Sequence, residues 1–413
     1  MIIPLVYIFN SQERFKKMTT RFSFEKFYSE KSETQEISSP VHAKYDFAVA
    51  YPAPETIPSE GLLEGLKKGL EREGRDLAYY PDPFGSLELR EFIKEKLRND
   101  RGIETNIEEI LVTHGSGEAN NLVIQNLTDA GDTVITEEFV YLGTLNQLQK
   151  AKANIVGTKI DNQGIIPEEL DKLIIKLKSE NKRIKYLYSI PEFQNPTGST
   201  MPLKRRKKVL EILNKHHLPL IEDDCYVDLR FESESQPSYK SLDKNGSVIH
   251  VASFSKLIAP GLRMGYVNAP IDLMKRLNYL KTSGPSQFVS LAIENFLTKE
   301  LDGHRDKITS LLREKRDAMI SSLGENFGGL DVTWTLPEGG CYLWITFSEK
   351  VDMSTLQQEC FDEGVGYISG DKFSPSGKSG TNSARLCFAY ESPEMNREGI
   401  SKFAEILRRK KVI

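Results

Sequence analysis

Between residues 110 and 252 one hydropathy pattern recurs. A short run of apolar or β-branched residues is followed by a turn-forming cluster and then by a longer stretch with helical spacing. The runs are Ile110-Leu111-Val112-Thr113, Thr133-Val134-Ile135-Thr136, Asn154-Ile155-Val156-Gly157, Tyr186-Leu187-Tyr188-Ser189, Leu218-Pro219-Leu220-Ile221 and Ile249-His250-Val251-Ala252. Short runs alternating with helices predict a largely parallel sheet covered on both faces, an α/β arrangement. Upstream, the spacing predicts helices over Leu62 to Glu73 and over Ser86 to Asp100, the latter with Leu87, Leu89, Phe92, Ile93 and Leu97 as its apolar stripe.

Past about residue 290 the pattern becomes mixed. A long helix is expected from Phe288 through Arg316, with an interruption near Gly303. Strands are expected around Val332-Thr333-Trp334, Tyr342 to Ile345, Gly366-Tyr367-Ile368 and Ala384 to Phe388, and a helix over Ser354 to Gly364. This order suits a smaller α+β domain. The predicted division is a tail and arm over 1–45, a large domain over 46–295 and a small C-terminal domain over 296–413. No internal repeat or low-complexity linker interrupts it.

Composition narrows the function. The 413 residues are 39% hydrophobic and 28% charged, with a net charge of -4, an ordinary globular balance. Nucleic-acid binding would call for clustered basic charge. The one basic run, Lys204-Arg205-Arg206-Lys207-Lys208, is read as the exposed first turns of a helix after Pro202. The cysteines, at 225, 341, 360 and 387, form no CxxC pair and have no histidine cluster beside them. Neither a disulfide framework nor a metal site is expected, and a reducing cytoplasm fits. The opening run Met1 to Phe9 is too short to span a bilayer and lacks the features of a secretory leader. With Met18 following, the first 17 residues are expected to be disordered or to reflect an upstream start codon.

The candidate chemistry centres on Ser253-Phe254-Ser255-Lys256, followed by Arg263. A lysine beside an apolar strand can be desolvated into an amine nucleophile, and such amines form Schiff bases with carbonyls, including the aldehyde of pyridoxal phosphate. Two hydroxyls and an arginine suit a phosphate dianion. The alternative is a solvated strand end. Gly115-Ser116-Gly117-Glu118 follows a strand and opens a helix, which suits an anion at the helix N-terminus or a simple tight turn. Asn195-Pro196-Thr197-Gly198 is a turn by composition, with an amide able to donate to a phenolate-like oxygen. In Glu222-Asp223-Asp224-Cys225-Tyr226 a carboxylate at the end of a parallel strand can keep a pyridine nitrogen protonated; a helix cap is the alternative, chiefly for Asp224. Tyr80 and Tyr141 each follow turn-like text and, taken singly, read as half-buried aromatics.

In this order, with Arg385 added, these motifs resemble the fold-type I pyridoxal-phosphate aminotransferases. Their closest look is to the class I/II branch that includes 2-aminoadipate/kynurenine-type and broad-range enzymes. Phe193-Gln194-Asn195-Pro196-Thr197-Gly198 and Pro337-Glu338-Gly339-Gly340 are similar to that branch as well, and the resemblance covers residues 45 to 410. It implies a large domain with a mostly parallel seven-stranded sheet sandwiched by helices, beside the smaller α+β domain. It implies pyridoxal 5'-phosphate as cofactor and an amino group moved from an L-amino acid to a 2-oxo acid, 2-oxoglutarate being the expected one.

The roles it implies are these. Lys256 holds the cofactor and moves the proton, Asp223 pairs with the pyridine nitrogen, and Asn195 and Tyr226 bond the ring oxygen. Tyr141 stacks on the ring. Ser116, Gly117, Ser253, Ser255 and Arg263 cup the phosphate, and Tyr80 reaches the phosphate of a neighbouring subunit, so a homodimer is implied. Arg385 forks onto the substrate α-carboxylate, with Asn195 and Tyr51 also on the substrate side.

Three departures bear on the substrate. Phe47-Ala48-Val49-Ala50-Tyr51-Pro52-Ala53-Pro54 stands where the branch has Gly-Gly-x-Pro, so side chains are expected to reshape the pocket. Gly117 and Glu118 replace glutamines of the phosphate loop, and Glu118 would repel the phosphate unless it points away. Pro81 replaces a glycine after the tyrosine. A decarboxylase, lyase, cyclase or oxidase on the same fold is the main alternative. A regulatory aminotransferase-like domain is the minor one, and no paired-helix pattern precedes the domain to support it.

Overall fold

The computed structural model describes residues 22–29 and 41–413. The expectation for the first 17 residues, and much of the predicted tail and arm, lie outside these. The segment 22–29 forms one 3-10 turn, Glu25–Phe27, with the Phe22 ring stacked on Phe27 at 5.6 Å.

All six predicted strands form, and a seventh joins them. In chain order they are β1 (Ile110–Thr113), β2 (Thr133–Glu137), β3 (Asn154–Thr158), β4 (Ile184–Ser189), β5 (Leu220–Asp223), β6 (Val248–Ser253) and β7 (Gly265–Asn268). The sheet order is β1-β7-β6-β5-β4-β2-β3, parallel except for β7, which runs antiparallel between β1 and β6. Hydropathy alone missed β7 because Gly265-Tyr266-Val267-Asn268 is four residues long and directly follows a turn.

Alternation along the strands divides the core in two. Ile135, Leu187, Leu220 and Val248 face one cluster, completed by Leu170, Ile174, Val209 and Leu213 from helices α5 (Pro167–Ser179) and α6 (Leu203–His216). Val134, Tyr188, Ile221, Ile249 and Val251 face the other, which continues into the C-terminal part of the chain. This period of two is what a strand buried on both faces imposes. Arg206 corrects the reading of the basic run: it is fully buried, donating to Met201 O, Pro191 O and the Glu192 carboxylate.

The C-terminal part holds an antiparallel sheet of β8 (Val332–Trp334), β9 (Tyr342–Phe347), β10 (Ile368–Ser369) and β11 (Ser383–Cys387), ordered β8-β9-β11-β10. The long helix runs unbroken from Gln287 to Phe327. Gly303 meets open space, and the expected interruption is absent. A glycine costs a helix about 1 kcal/mol, which the buried face of this helix, with Leu297, His304, Ile308 and Leu312, offsets. His304, the next residue, bonds Leu257 O at 2.7 Å and so ties the helix to the loop carrying Lys256.

Two anchors fix the segment entering the site. Tyr45–Asp46 pairs with Val365–Gly366 as a short parallel ladder. Ten residues on, the Glu55 carboxylate accepts two 2.9 Å bonds from the fully buried Lys315 ammonium. The strap between them, Phe47 to Pro54, crosses to β11, where Cys387 N donates to Phe47 O at 2.9 Å.

Candidate active site

The ends of the parallel strands assemble the site, because every strand running the same way ends on the same edge. After β6 the chain passes through Lys256 and the turn Pro260–Leu262, and Arg263 sits in the left-handed region at φ +50° before β7 returns. The Arg263 guanidinium donates to His114 O at 3.1 Å, across the loop that follows β1. That loop needs its glycine: a Cβ on Gly115, at φ +80°, would lie 2.7 Å from Arg263 Nη2. Gly265 serves the same approach, since its Cβ would lie 2.8 Å from Ser116 N.

Ser116 and Gly117 open helix α3 (Ser116–Leu127). Ser253 Oγ donates to Ser255 Oγ at 2.9 Å at the end of β6. Free helical N–H groups, two hydroxyls and a guanidinium together form an anion cradle. Glu118 turns back onto His114, accepting from its backbone N at 2.7 Å and pairing with its ring at 3.0 Å. Its charge is engaged away from the cradle.

Asp223 ends β5, buried. Its Oδ2 accepts from Tyr188 Oη at 2.7 Å and from Asn120 Nδ2 at 2.9 Å, while its Oδ1 is buried and has no hydrogen-bond partner. Burial pushes the Asp223 pKa up, while contacts from Cys225, Tyr188 and Asn120 pull against it. An unmatched buried carboxylate oxygen costs free energy unless a donor meets it. A pyridinium N–H is such a donor, so this site fits pyridoxal phosphate. Asp224, weighed as a cap, is instead a buried ion-pair partner: Arg101 Nε donates to it at 2.8 Å and His250 Nε2 lies 3.0 Å away. Its pKa is held well below the usual carboxylate range, burial being outweighed by Arg101 and His250.

The Asn195 amide donates to Tyr226 Oη at 3.0 Å and accepts from Arg385 Nη1 at 3.3 Å. Arg385 lies on β11, buried, with Tyr342 and Phe373 rings 4.6 and 5.3 Å from its guanidinium carbon. Its Nη2 donates to Ala48 O at 2.5 Å and Val49 O at 3.0 Å, and Lys256 Nζ donates to Ala50 O. The strap therefore meets both side chains with backbone carbonyls, a contribution that the expectation of pocket-shaping side chains did not include. Phe47 is buried in the core, and the Tyr51 ring packs edge-on against Tyr390 at 5.5 Å. Burial lowers the Lys256 pKa, favouring the neutral amine.

Tyr141, at the start of helix α4 (Leu142–Lys150), lies within electrostatic reach of Asp223, Arg385 and Arg263, and burial raises its pKa. Two predicted residues are not gathered in. Tyr51 stays 39% exposed, and Tyr80 is fully exposed with no contact to the others.

Other participants escaped the sequence reading. Asn120 and Tyr188 hold Asp223, and the only signal was a polar residue on a core-facing helix and a hydroxyl in an apolar strand. Glu137, at the end of β2, accepts from Ser189 Oγ (2.7 Å), Ile190 N (3.3 Å) and Gln194 Nε2 (3.0 Å), which braces the loop that carries Asn195. Its full burial pushes its pKa up to about 7. Among the described residues no His/Cys/Asp/Glu group could hold a metal, and no helix is long and apolar enough to cross a membrane.

Comparison with known proteins gives the site its family. Residues 51–403 match the family described as aminotransferase class I and II. An aromatic-amino-acid aminotransferase of Thermococcus litoralis is 32% identical over 402 residues, 93% of this chain and 95% of the relative. The crystal structure of a Pyrococcus horikoshii kynurenine aminotransferase, in complex with PMP, kynurenine as substrate and KYA as product, superposes with a TM-score of 0.88 at 28% identity, covering 94% of this chain and 98% of that one. A helix-turn-helix-type transcriptional regulator of Bacillus subtilis is 32% identical over 343 residues, 80% of this chain and 67% of the regulator. The chain belongs to the class I and II aminotransferases, and it is a pyridoxal-phosphate-dependent transaminase of fold type I.

Proposed function

We propose that the enzyme takes the amino group of an aromatic or similarly large L-amino acid and delivers it to a 2-oxo acid, with 2-oxoglutarate as the acceptor. The observation that carries this reading is the convergence of Lys256 and Arg385 on one backbone segment, Ala48 to Ala50. An amine and a carboxylate receptor so placed suit the two ends of an α-amino acid. The wall beside Arg385 is aromatic: Phe373 lies 6.1 Å from Trp344, and Trp344 lies 4.8 Å from Phe139. The names of the relatives point the same way.

When bound, pyridoxal phosphate supplies a ring that delocalises negative charge developing at the substrate Cα. The protein supplies the rest. The cradle of Ser116, Gly117, Ser253, Ser255 and Arg263 holds the phosphate. Asp223 would hold the ring nitrogen, Asn195 and Tyr226 the ring oxygen, and Tyr141 the ring face. Arg385 takes the α-carboxylate in place of the Ala48 and Val49 carbonyls, orienting the substrate so that its Cα proton faces Lys256. Lys256 Nζ, whose charge burial disfavours, accepts that proton and later returns it.

The same reading makes the enzyme a cytoplasmic homodimer in which Tyr80 serves the partner's phosphate. It divides the chain into a large domain over 46–295 and a small domain over 296–413, about the two sheets. The full exposure of Tyr80, beside a 72% exposed Tyr79, supports the dimer. Four free cysteines support the reducing compartment.

The test is a panel of L-amino acids with 2-oxoglutarate, following glutamate. Aromatic donors are expected to give the highest rates. Release of CO2 or ammonia without an acceptor would instead select another reaction of the fold, and sequence-specific DNA binding would indicate the regulatory alternative.

A further inference from the structure

Asp223 is useful to a pyridinium only if one of its oxygens is kept free and the carboxylate is kept ionised. The structure meets the first condition and favours the second with residues outside the sequence motifs. Tyr188 Oη on β4 and Asn120 Nδ2 on α3 both donate to Oδ2. The direction of the first bond is fixed from behind: Thr144 Oγ1 donates to Tyr188 Oη at 3.0 Å, which commits the tyrosine's own proton to Asp223. The orientation of the second is fixed by charge, since the flipped amide would face an oxygen to a carboxylate. Oδ1 is left buried and unpaired.

We infer that Asn120 and Tyr188 are positioning residues that clamp Oδ2 of Asp223 and so present Oδ1 to the cofactor's ring nitrogen. The inference rests on the role proposed above for Asp223. The clamp acts against burial and against Asp224, next in the chain, and Glu137, at the end of β2; the Cys225 thiol works with it in favouring the ionised form, and Tyr141 lies alongside. Both neighbouring carboxylates disfavour a further negative charge at Asp223, and the two donors oppose them.

The experiment is titration of the apoenzyme with pyridoxal phosphate across pH, for wild type, Asn120→Leu, Tyr188→Phe, Thr144→Val and Asp223→Asn. A hydrogen bond to a charged group is worth enough that each clamp variant should weaken cofactor binding about tenfold. Thr144→Val, one bond further back, should weaken it about twofold. The acid limb of the affinity profile should move to higher pH in Asn120→Leu and Tyr188→Phe, because losing a donor raises the Asp223 pKa and the ionised form is lost earlier as pH falls. A merely structural role would not move that limb. If Tyr188→Phe fails to fold, Asn120→Leu reads the same clamp without touching the strand. Wild-type affinity and an unmoved limb in both clamp variants, with Asp223→Asn impaired, would overturn the clamp. Unimpaired Asp223→Asn would instead remove the role of Asp223 on which it rests.

Discussion

On the cofactor side of the cleft, Asp223 is gripped by side chains: Tyr188 from the sheet and Asn120 from the helix against it, both buried. On the substrate side, Arg385 and Lys256 rest on backbone carbonyls of Ala48, Val49 and Ala50, supplied by a strap that belongs to neither sheet. Both arrangements satisfy buried polar groups, but they differ in what can be exchanged. Removing a side-chain donor from a packed sheet leaves an unpaired group behind. A neutral carbonyl on a guanidinium can be replaced by a carboxylate, and charge-assisted bonds are roughly twice as strong as neutral ones. The cofactor side is built to hold one ligand, and the substrate side to trade one partner for another.

The comparison can be broken most severely at the residue shared by both sides. Lys256→Ala should cut turnover by about 10⁴-fold or more in a steady-state assay, since it removes the group proposed to move the Cα proton. Next comes Arg385→Ala. Without the bidentate contact proposed for the substrate carboxylate, kcat/KM should fall on the order of 100-fold, while affinity for pyridoxal phosphate stays near wild type. A parallel loss of cofactor affinity would mean that the two sides are not separable.

A smaller effect belongs to Glu137, which braces the loop bearing Asn195. Its folded pKa, about 7, lies above the ordinary value of 4.5. The stability it contributes is therefore fully present below about pH 4.5 and is lost as pH rises towards 7, by about 3 kcal/mol over that window. Glu137→Gln should flatten this part of the stability profile in thermal melts taken from pH 5 to 7; an unchanged slope would place the titration elsewhere. Smallest of all, Glu55→Gln loosens one end of the strap by removing the charge that meets Lys315. A change of a few-fold in KM with unchanged cofactor affinity would sharpen the comparison, because the strap would then act on the substrate side alone.

The two sides also differed in how legible they were. Lys256, Asp223, Arg263 and Asn195 lie at or just past strand ends, where a polar residue interrupts an apolar run, so the chain order that carried the resemblance also located them. The clamp was hidden by its surroundings. Tyr186 and Tyr188 share a strand and a face, yet the first bonds Thr128 at 2.8 Å and the second bonds Asp223. Nothing local distinguishes a core tyrosine from a positioning one.

Arg206 was misread for a related reason: it sits in a run of five basic residues, but the helix turns it inward to Glu192. The strap was harder still, because its contribution is made by backbone carbonyls that any residue supplies. Its side chains suggested a reshaped pocket, whereas the tertiary path, set by the Tyr45–Asp46 ladder and the Glu55–Lys315 pair, determines what faces Arg385 and Lys256.

Both sides of the site depend on Lys256 as the amine proposed to hold the cofactor. The decisive measurement is borohydride reduction of the holoenzyme, followed by digestion and mass spectrometry. The phosphopyridoxyl group should appear on the peptide containing Lys256 and on no other; its appearance on a different lysine would overturn the assignment.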